Sequence, residues 1–422
     1  MMKILVLALI FNSVAIIPYA RSQTEAALLF LLSQPSLRAN GMAGTSVASA
    51  EHDPLSVSFN PAHLGLATLS RSFQFEFYPS KTNWLPQFNI EGLNFDAKSF
   101  LIGYKFKIHN RIPASIGAGY TRVFLNLGTQ NITSETSPEI IGVFQSSEHA
   151  DIFSLGMGAD FGVKIGLGFN YKRIESNLAA IGAGAEIRAS QVNVNAYDFG
   201  LIAHLPLLET FSKLTHRDTK ISERFRPFLL PGFGYSISNV GGKIIYINAA
   251  QADPLPRVAR MAVSVNTGIS YSNEEISFRL VDFEWSSEAR DLLVKRSPAG
   301  NITYQGVFSD IGLFDNVITG NSKPGIETSR GWELNILELI SLRHGRYEDA
   351  GGAVFYDTDG FGLRSSGLFK IAFILVPQLK SNAILSFLGS HVDVQFNTSK
   401  FNAGPGHLLD GTKFKGVRVS FF

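Results

Sequence analysis

From residue 69 onward, the chain alternates between apolar residues and small or polar residues in segments of about ten residues. In the segment 163–172, lysine, glycine and asparagine hold the even positions, and the odd positions hold Val163, Ile165, Leu167, Phe169 and Tyr171. The segments 100–108 and 260–271 are divided in the same way. Because successive side chains of a strand point to opposite faces, this pattern predicts long β-strands with one apolar face and one small or polar face.

A soluble β-sandwich would also alternate, with its apolar face against a packed core. Segments of about ten residues instead fit tilted transmembrane strands, whereas soluble strands typically have about five or six residues. Aromatic residues near segment ends are typical of membrane barrels, and here they include Phe77, Tyr78, Tyr171, Tyr271 and Trp285. Since lipid offers backbone groups no hydrogen-bond partner, spanning strands have to close on themselves. We therefore predict an all-β fold, a transmembrane antiparallel β-barrel.

The first 22 residues have the pattern of an export signal. Lys3 precedes an almost unbroken apolar stretch that ends at Ala20, and Ala20 and Ser22 are suitable small residues for cleavage after Ser22. A membrane anchor is the alternative, because the stretch just reaches the length of a span. The break at Pro18 favours removal. We predict a signal peptide over 1–22 and export to a bacterial envelope.

Composition narrows the range of functions. Without its first 22 residues the chain has 35 basic and 35 acidic residues, a balance that argues against a nucleic-acid partner. It contains no cysteine, so disulfides, thiol nucleophiles and cysteine-ligated metals are excluded. Beyond the N-terminus, no apolar run reaches the roughly 18 residues of a transmembrane helix.

No catalytic or metal-binding pattern stands out, so we predict no enzyme, no metal and no cofactor. The nine histidines include no H-E-x-x-H motif and are interpreted as scattered residues of loops or girdles. Asp357–Gly360 lacks the later ligands of a calcium loop, and a turn is the better interpretation. A hydrolase site assembled from distant strands is the alternative. Gly-x-Gly pairs are predicted to line a crowded lumen or to make room for facing aromatics, and they lie at 156–158, 166–168 and 232–234.

Residues 23–68 do not alternate. They contain a short apolar helix candidate at 24–32 and a turn-rich stretch at 37–66, whose apolar residues argue against a disordered tail. A segment that is neither signal nor strand, placed before a barrel, is predicted to fold into the lumen as a plug or hatch. The predicted domains are thus the signal peptide, a plug or hatch over 23–68 and a barrel over 69–422.

Two polar intervals are interpreted as loops. Residues 209–226 form the longest hydrophilic interval, and we predict a long solvated loop on the outer face, with a partner-docking surface as the alternative. Residues 284–300 are similar in kind and are predicted to pack beside it.

Several short motifs resemble those of outer-membrane barrels related to the fatty-acid transporter FadL, and within that superfamily those of the PorV/PorQ branch. Near the N-terminus they are Gly41-Met42-Ala43-Gly44, Asp53 and Phe59-Asn60-Pro61-Ala62, with Ala43 and His63 where the family commonly has glycine. Further along they are Ser238-Asn239-Val240-Gly241-Gly242-Lys243, Gly331-Trp332-Glu333-Leu334, and Leu342-Arg343 with Gly345. The alternating stretch 417–422 ends in Phe422, and it is similar to the final strand by which such barrels are recognised for assembly.

The resemblance implies a barrel of about 14 strands with a lumenal N-terminal segment, in the outer membrane of a Gram-negative-type bacterium. The PorV branch acts in type IX protein secretion. The resemblance therefore implies, first, an accessory that contacts outer-membrane lipid, associates with a large secretion translocon and hands secreted cargo proteins to the surface attachment machinery. The alternative is the wider family's role, uptake of an apolar small molecule such as a long-chain fatty acid or a hydrocarbon. The residues predicted to form the hatch or ligand path are Asp53, Phe59, Asn60 and Pro61.

Overall fold

The computed structural model describes residues 26–134, 137–178, 191–246, 252–274, 276–296 and 302–422. The predicted signal peptide and its cleavage site lie outside the described residues. Among these residues, no helix combines the length and the apolar character needed to cross a membrane.

Fourteen antiparallel strands form one closed sheet, and a two-residue strand, Thr82–Asn83, adds to it at Asn94 and Phe95. They are β1 (Phe73–Phe77), β2 (Leu93–Ile108), β3 (Ile112–Thr133), β4 (Ile140–Asp160), β5 (Lys164–Asn177), β6 (Gln191–His204), β7 (Phe225–Gly241), β8 (Val258–Ser272), β9 (Ser277–Leu292), β10 (Ile326–Ile336), β11 (Ile340–Asp349), β12 (Val354–Arg364), β13 (Val392–Asn402) and β14 (Lys413–Phe421). Each strand pairs with its neighbours in the chain, and β1 pairs with both β2 and β14. The predicted antiparallel barrel of about 14 strands is confirmed.

The two faces of the barrel wall differ in polarity. The apolar members of the alternating segments face outward, as shown by Tyr104, which is 68% exposed. Charged members in the middle of the wall face the lumen and are buried, as shown by Lys172 and Arg260, which are 2% and 1% exposed. A soluble sandwich would have the reverse arrangement. An apolar outer face on a closed sheet is the arrangement that lipid requires. Lipid solvates apolar side chains but offers backbone groups no hydrogen-bond partner, so the strands have to pair with one another all the way round.

The part of the chain before β1, residues 26–72, folds inside the barrel, and we call it the plug. It contains 3₁₀ turns at Leu29–Leu32 and Pro54–Ser58 and two short helices, α1 (Leu37–Asn40) and α2 (Ala62–Ala67). Ser36 caps α1 by accepting a hydrogen bond from the amide of Ala39, as serine often does at helix starts. All residues from 52 to 68 are buried. The lumenal position of an N-terminal segment agrees with the predicted fold.

The two ends of the barrel have different connections. Three-residue turns at 109–111, 161–163 and 337–339 lie at the end where β1 starts and β14 finishes, which we call the turn end. Longer connections, such as 78–92 and 403–412, lie at the opposite, loop end. Short turns mark the periplasmic side of an outer-membrane barrel, and long loops mark the outer side.

The turn end also carries three helices. They are α3 (Leu207–Thr215), between β6 and β7, and α4 (Ser365–Leu375) and α5 (Ala383–His391), both between β12 and β13. The prediction that 209–226 is a loop on the outer face is therefore wrong. The polarity of this interval indicates exposure to water. The end of the barrel at which the interval lies is set by the number of strands before it. Six strands, an even number, return the chain to the turn end where β1 starts.

The first half of the interval 284–300, predicted as a loop, and the whole of Asp357–Gly360, predicted as a turn, are strands. Residues 284–292 belong to β9, and Asp357–Gly360 lie within β12. Both runs carry polar residues on their lumenal as well as their outer faces, which hides the alternation. The lumenal members have partners in the plug, since Glu288 accepts hydrogen bonds from the amides of Ser46 and Val47.

Candidate plug anchors and apolar cavities

An arginine of α1 fixes the plug to the barrel wall. Arg38 donates from Nε to Glu333 of β10 at 2.6 Å, and its Nη2 lies 3.2 Å from Glu284 of β9. Glu333 also accepts from Arg343 of β11 at 2.6 Å. Burial alone would lower the pKa of Arg38, but Glu333 and Glu284 raise it above its ordinary value. Ion pairs at this depth are held by their partners, and losing one partner leaves a buried charge uncompensated.

A second ionic cluster lies near the turn end. Glu51 of the plug approaches Arg71 at 3.2 Å, Arg418 of β14 at 2.8 Å and Arg364 of β12 at 4.0 Å. Burial alone would raise the pKa of Glu51, but Arg71, Arg364 and Arg418 hold it well below its ordinary value. Three arginines thus converge on one carboxylate, and two of them, Arg364 and Arg418, join the plug to β12 and β14.

Glycines on the lumenal face let the plug approach the wall. A Cβ atom at Gly158 would lie 2.3 Å from the carbonyl oxygen of Gly65, and one at Gly168 would lie 2.1 Å from the carbonyl carbon of Pro61. A Cβ atom at Gly234 would lie 2.1 Å from the carbonyl oxygen of Val47. These separations leave room only for glycine. The prediction that the Gly-x-Gly pairs line a crowded lumen is confirmed.

The motif at residues 41–44 occupies a similar glycine cradle. Cβ atoms at Gly331 and Gly345 would come within 2.5 and 2.3 Å of atoms of Met42. Ala43 has a φ of 56°, in the left-handed region that glycine adopts most readily. Its amide donates to the hydroxyl of Thr358 on β12. The N-terminal and strand motifs are therefore two sides of one contact.

Three histidines meet where α2 faces β6. Nδ1 of His52 lies 2.8 Å from Nδ1 of His63, and the ring of His52 stacks on that of His204. His63 Nε2 lies 2.8 Å from the carbonyl oxygen of Ser46, so Nε2 carries the proton and His52 donates to Nδ1. Burial lowers the pKa of His63 to about 4, and burial with the neighbouring rings of His63 and His204 lowers that of His52. The interpretation of the histidines as scattered is wrong for these three.

The structure brings the predicted hatch residues together as parts of the plug. Asp53 caps the turn at Pro54–Ser58 and accepts from the hydroxyl of Ser36 at 3.0 Å. Asn60 donates to the carbonyl oxygens of Val47 and of Leu201 on β6.

The other two hatch residues pack against strands. The ring of Phe59 lies under the guanidinium of Arg260, with 3.9 Å between the ring centroid and Cζ of the arginine. Pro61 lies at the start of α2 and packs against Gly168. None of the four borders the cavities described next, as far as the described residues define them. Their part in a hatch or ligand path stays a prediction.

An aromatic-lined cavity of about 440 Å³ lies in the lumen on the loop-end side of the plug, and we call it the lumenal pocket. Its aromatic lining comes from Trp84, Tyr347, Tyr356, Phe401 and Phe414. Pockets of about 300–1,000 Å³ with a mainly apolar lining are typical of small-molecule sites. Three charged residues border it, and the only cation among these, Arg290, is paired with Glu327.

A second apolar cavity, about 790 Å³, opens at the loop end, and we call it the outer groove. Its lining includes Phe30, Leu85, Phe88, Ile90 and Phe144. Leu29, Ser33 and Trp84 border both the outer groove and the lumenal pocket. Apolar surface therefore continues from the loop end to the plug.

The cavity on the other side of the plug is charged. It measures about 880 Å³, and we call it the vestibule. Its lining includes Glu51, Arg71, Arg279, Arg364 and Lys370, and α4 and α5 form part of its boundary. A molecule without charge would gain little in this cavity relative to water.

The wall itself is thin beside α2. Glycines at 103, 117, 156 and 168, on β2 to β5, have no side chain between the backbone and the plug. On the outer surface the same strands enclose a depression of about 780 Å³, lined by Ile102, Ile116, Leu155, Met157 and Leu167. Only backbone separates this lipid-facing depression from Leu64 and Gly65 of α2.

Comparisons with known proteins gave structural matches only. Neither a protein-family model nor a curated protein matches the chain. Among solved structures, the Ralstonia pickettii toluene transporter TbuX aligns at 11% identity and a TM-score of 0.39, covering 92% of this chain and 98% of that one. The Pseudomonas putida toluene transporter TodX aligns at 11% and 0.42, covering 92% and 97%. A Pseudomonas aeruginosa FadL homologue aligns at 8% and 0.35, covering 92% and 96%.

The closed sheet and its apolar outer face make this chain an outer-membrane β-barrel of the Gram-negative type. The sequence motifs located several residues of the plug contact, including Met42, Glu333 and Arg343. The motifs did not indicate Arg38, Glu51 or the histidine cluster, because the partners of these residues lie on strands far away in the sequence. The aromatic lining of the lumenal pocket was missed for the same reason.

Proposed function

We propose that the chain binds an apolar small molecule at the loop end and carries it across the outer membrane. The observation that supports this function is the continuity of the outer groove with the lumenal pocket through Leu29 and Trp84. An apolar molecule entering from water would bury its surface stepwise along this path, at roughly 25 cal/mol per Å². The charged vestibule offers no such gain, so the pocket is where the molecule would rest.

Passage beyond the pocket requires the plug to move or the wall to open. The plug is held by buried ion pairs and glycine contacts on many strands, which oppose its release as a unit. The thin wall at β2 to β5 meets α2 directly, so a shift of this helix combined with separation of paired wall strands would connect the lumen with lipid. We therefore favour release sideways, with Asn60 and Pro61 setting the position of α2.

Binding can be tested with purified protein and radiolabelled naphthalene as the probe. Trp84→Ala should weaken binding about tenfold, which corresponds to ~1.4 kcal/mol, because Trp84 borders both cavities. Trp332→Ala is the matched control, because Trp332 stacks on Phe283 outside the two cavities. Equal binding by wild type and Trp84→Ala would overturn the proposed path.

Transport needs a second measurement, in cells that lack other uptake routes. Asn60→Ala removes the bonds to Val47 and Leu201 and should alter naphthalene uptake while leaving binding in detergent unchanged. Unchanged uptake would count against a hatch at Asn60.

The role in type IX secretion, implied by the PorV/PorQ resemblance, stays a prediction without support from the comparisons. Affinity isolation from gently solubilised outer membrane tests it. Recovery of a very large barrel, or of secreted proteins that share a C-terminal domain, would favour secretion over uptake.

A further inference from the structure

Helix α3 carries an apolar stripe that nothing in the described chain covers. Leu207, Phe211 and Leu214 are all exposed, Leu214 by 77%. Their spacing of four and three residues places them on one face of a helix, and Glu209 lies on the opposite face. This is the pattern of a helix that rests at the boundary between an apolar and a polar phase.

Helices α4 and α5 repeat the arrangement. One side of the pair faces the vestibule through Lys370, Phe373 and Gly389. The other side exposes large apolar side chains, namely Leu368, Leu375, Ile384 and Phe387. Leu368 and Leu375 are two turns apart and therefore share a face. The exposed face is thus the one turned away from the vestibule.

The position of these helices joins their apolar faces to the lipid-facing wall. Helix α4 follows Arg364 without a linker, and α5 runs directly into β13. Leu363 and Val394, at the adjoining strand ends, are exposed apolar residues of the outer face. Helix α3 begins three residues after β6 ends. The apolar band of the barrel therefore continues onto α4 and α5, and the apolar stripe of α3 starts within three residues of the wall.

We propose that α3, α4 and α5 lie in the lipid–water interface of the leaflet at the turn end, with their apolar faces in lipid. Continuity with the lipid-facing wall selects lipid over a second copy or a protein partner. An interfacial helix is stabilised by the apolar area that it buries at the headgroup boundary. Contact with lipid would hold the three helices around the turn end and keep α4 and α5 at the boundary of the vestibule. This role does not depend on what the barrel transports.

The test uses the full barrel in lipid vesicles. Because the chain has no cysteine, a single introduced cysteine takes up a spin label at one site only. The probes are L214C and L375C, and E209C is the matched control on the polar face of α3. I116C gives the signal of lipid-facing wall, and S222C gives that of a water-exposed site at the same end. Accessibility is measured to oxygen, which concentrates in lipid, and to a water-soluble nickel complex.

We expect the labels of L214C and L375C to favour oxygen over nickel as the I116C label does, and that of E209C to resemble S222C. Labels of L214C and L375C that resemble S222C would overturn the proposal. Labels protected from both reagents would also overturn it, in favour of a protein surface covering the helices.

Discussion

The two halves of the lumen differ in chemistry. On the loop-end side of the plug, aromatic and aliphatic side chains line a pocket that continues into an open groove. On the turn-end side, arginines, lysines and carboxylates line a larger vestibule. The plug that separates them is itself joined to the wall by buried ion pairs. The difference shows that an apolar molecule would be stabilised on one side of the plug only, so a direct route along the barrel axis is unfavourable.

The first prediction tests how firmly the plug keeps the two halves apart. Glu333→Ala should lower the free energy of unfolding by ~3–5 kcal/mol, because it leaves Arg38 and Arg343 as buried charges without a shared partner. Urea unfolding in vesicles measures the loss. The control Arg346→Ala removes an exposed pair with Glu348 and should change the free energy by about 0.5 kcal/mol or less. A similar small loss for Glu333→Ala would show that the plug is held by packing instead.

The second prediction concerns the contact between wall and plug. Gly168→Val should displace Pro61 and α2 at a cost of ~1–3 kcal/mol, because no side chain fits there. A cysteine introduced at the buried Thr45 should then react faster with a maleimide. Gly242→Val is the control, since a Cβ atom at Gly242 would have no neighbour within 4 Å. Equal reaction rates in the two variants would mean that the plug does not depend on this contact.

The third prediction sharpens the chemistry of the lumenal pocket. Its charged border consists of Arg290, Glu327 and Asp349, so a carboxylate ligand should be disfavoured. We expect 1-dodecanol to bind at least about tenfold more tightly than dodecanoate at pH 8, equivalent to ~1.4 kcal/mol. Glu327→Gln should reduce this difference in affinity, because it leaves the positive charge of Arg290 less compensated. Tighter binding of dodecanoate to the wild type would contradict this assignment.

The fourth prediction is a pH dependence. The pKa of His63 is lowered to about 4 in the folded plug, below the ordinary value of about 6.5, so the unfolded chain takes up protons first as pH falls. The contribution of neutral His63 to the free energy of unfolding is fully present above pH ~6.5 and is lost as the pH falls toward 4. Between pH 7 and 5.5, wild type should lose about 1 kcal/mol more unfolding free energy than His63→Gln. Parallel pH profiles for the two proteins, measured by the same urea assay, would remove His63 from this role.

Much of the barrel could be predicted from the sequence, because its strands face two uniform media. Lipid selects apolar residues on one face of β5, and the pleat places Lys172 on the other. The same logic failed for β9 and β12, whose polar residues lie on both faces. The plug anchors could be predicted only in part. Glu333 lies in a recognisable motif, whereas Arg38 and the histidines acquire their partners through strands far away in the chain.

The seam of the barrel has a consequence for assembly. Strand β1 has only five residues, all of them paired to both β2 and β14. The plug lies immediately before β1, and its contacts reach strands from β2 to β14. Inserting a segment bonded to so many strands after the last pair forms would require all of these buried contacts to be made inside a closed wall. We therefore expect the strands to wrap around an N-terminal segment that is already in place, which would serve as the template on which the cylinder closes.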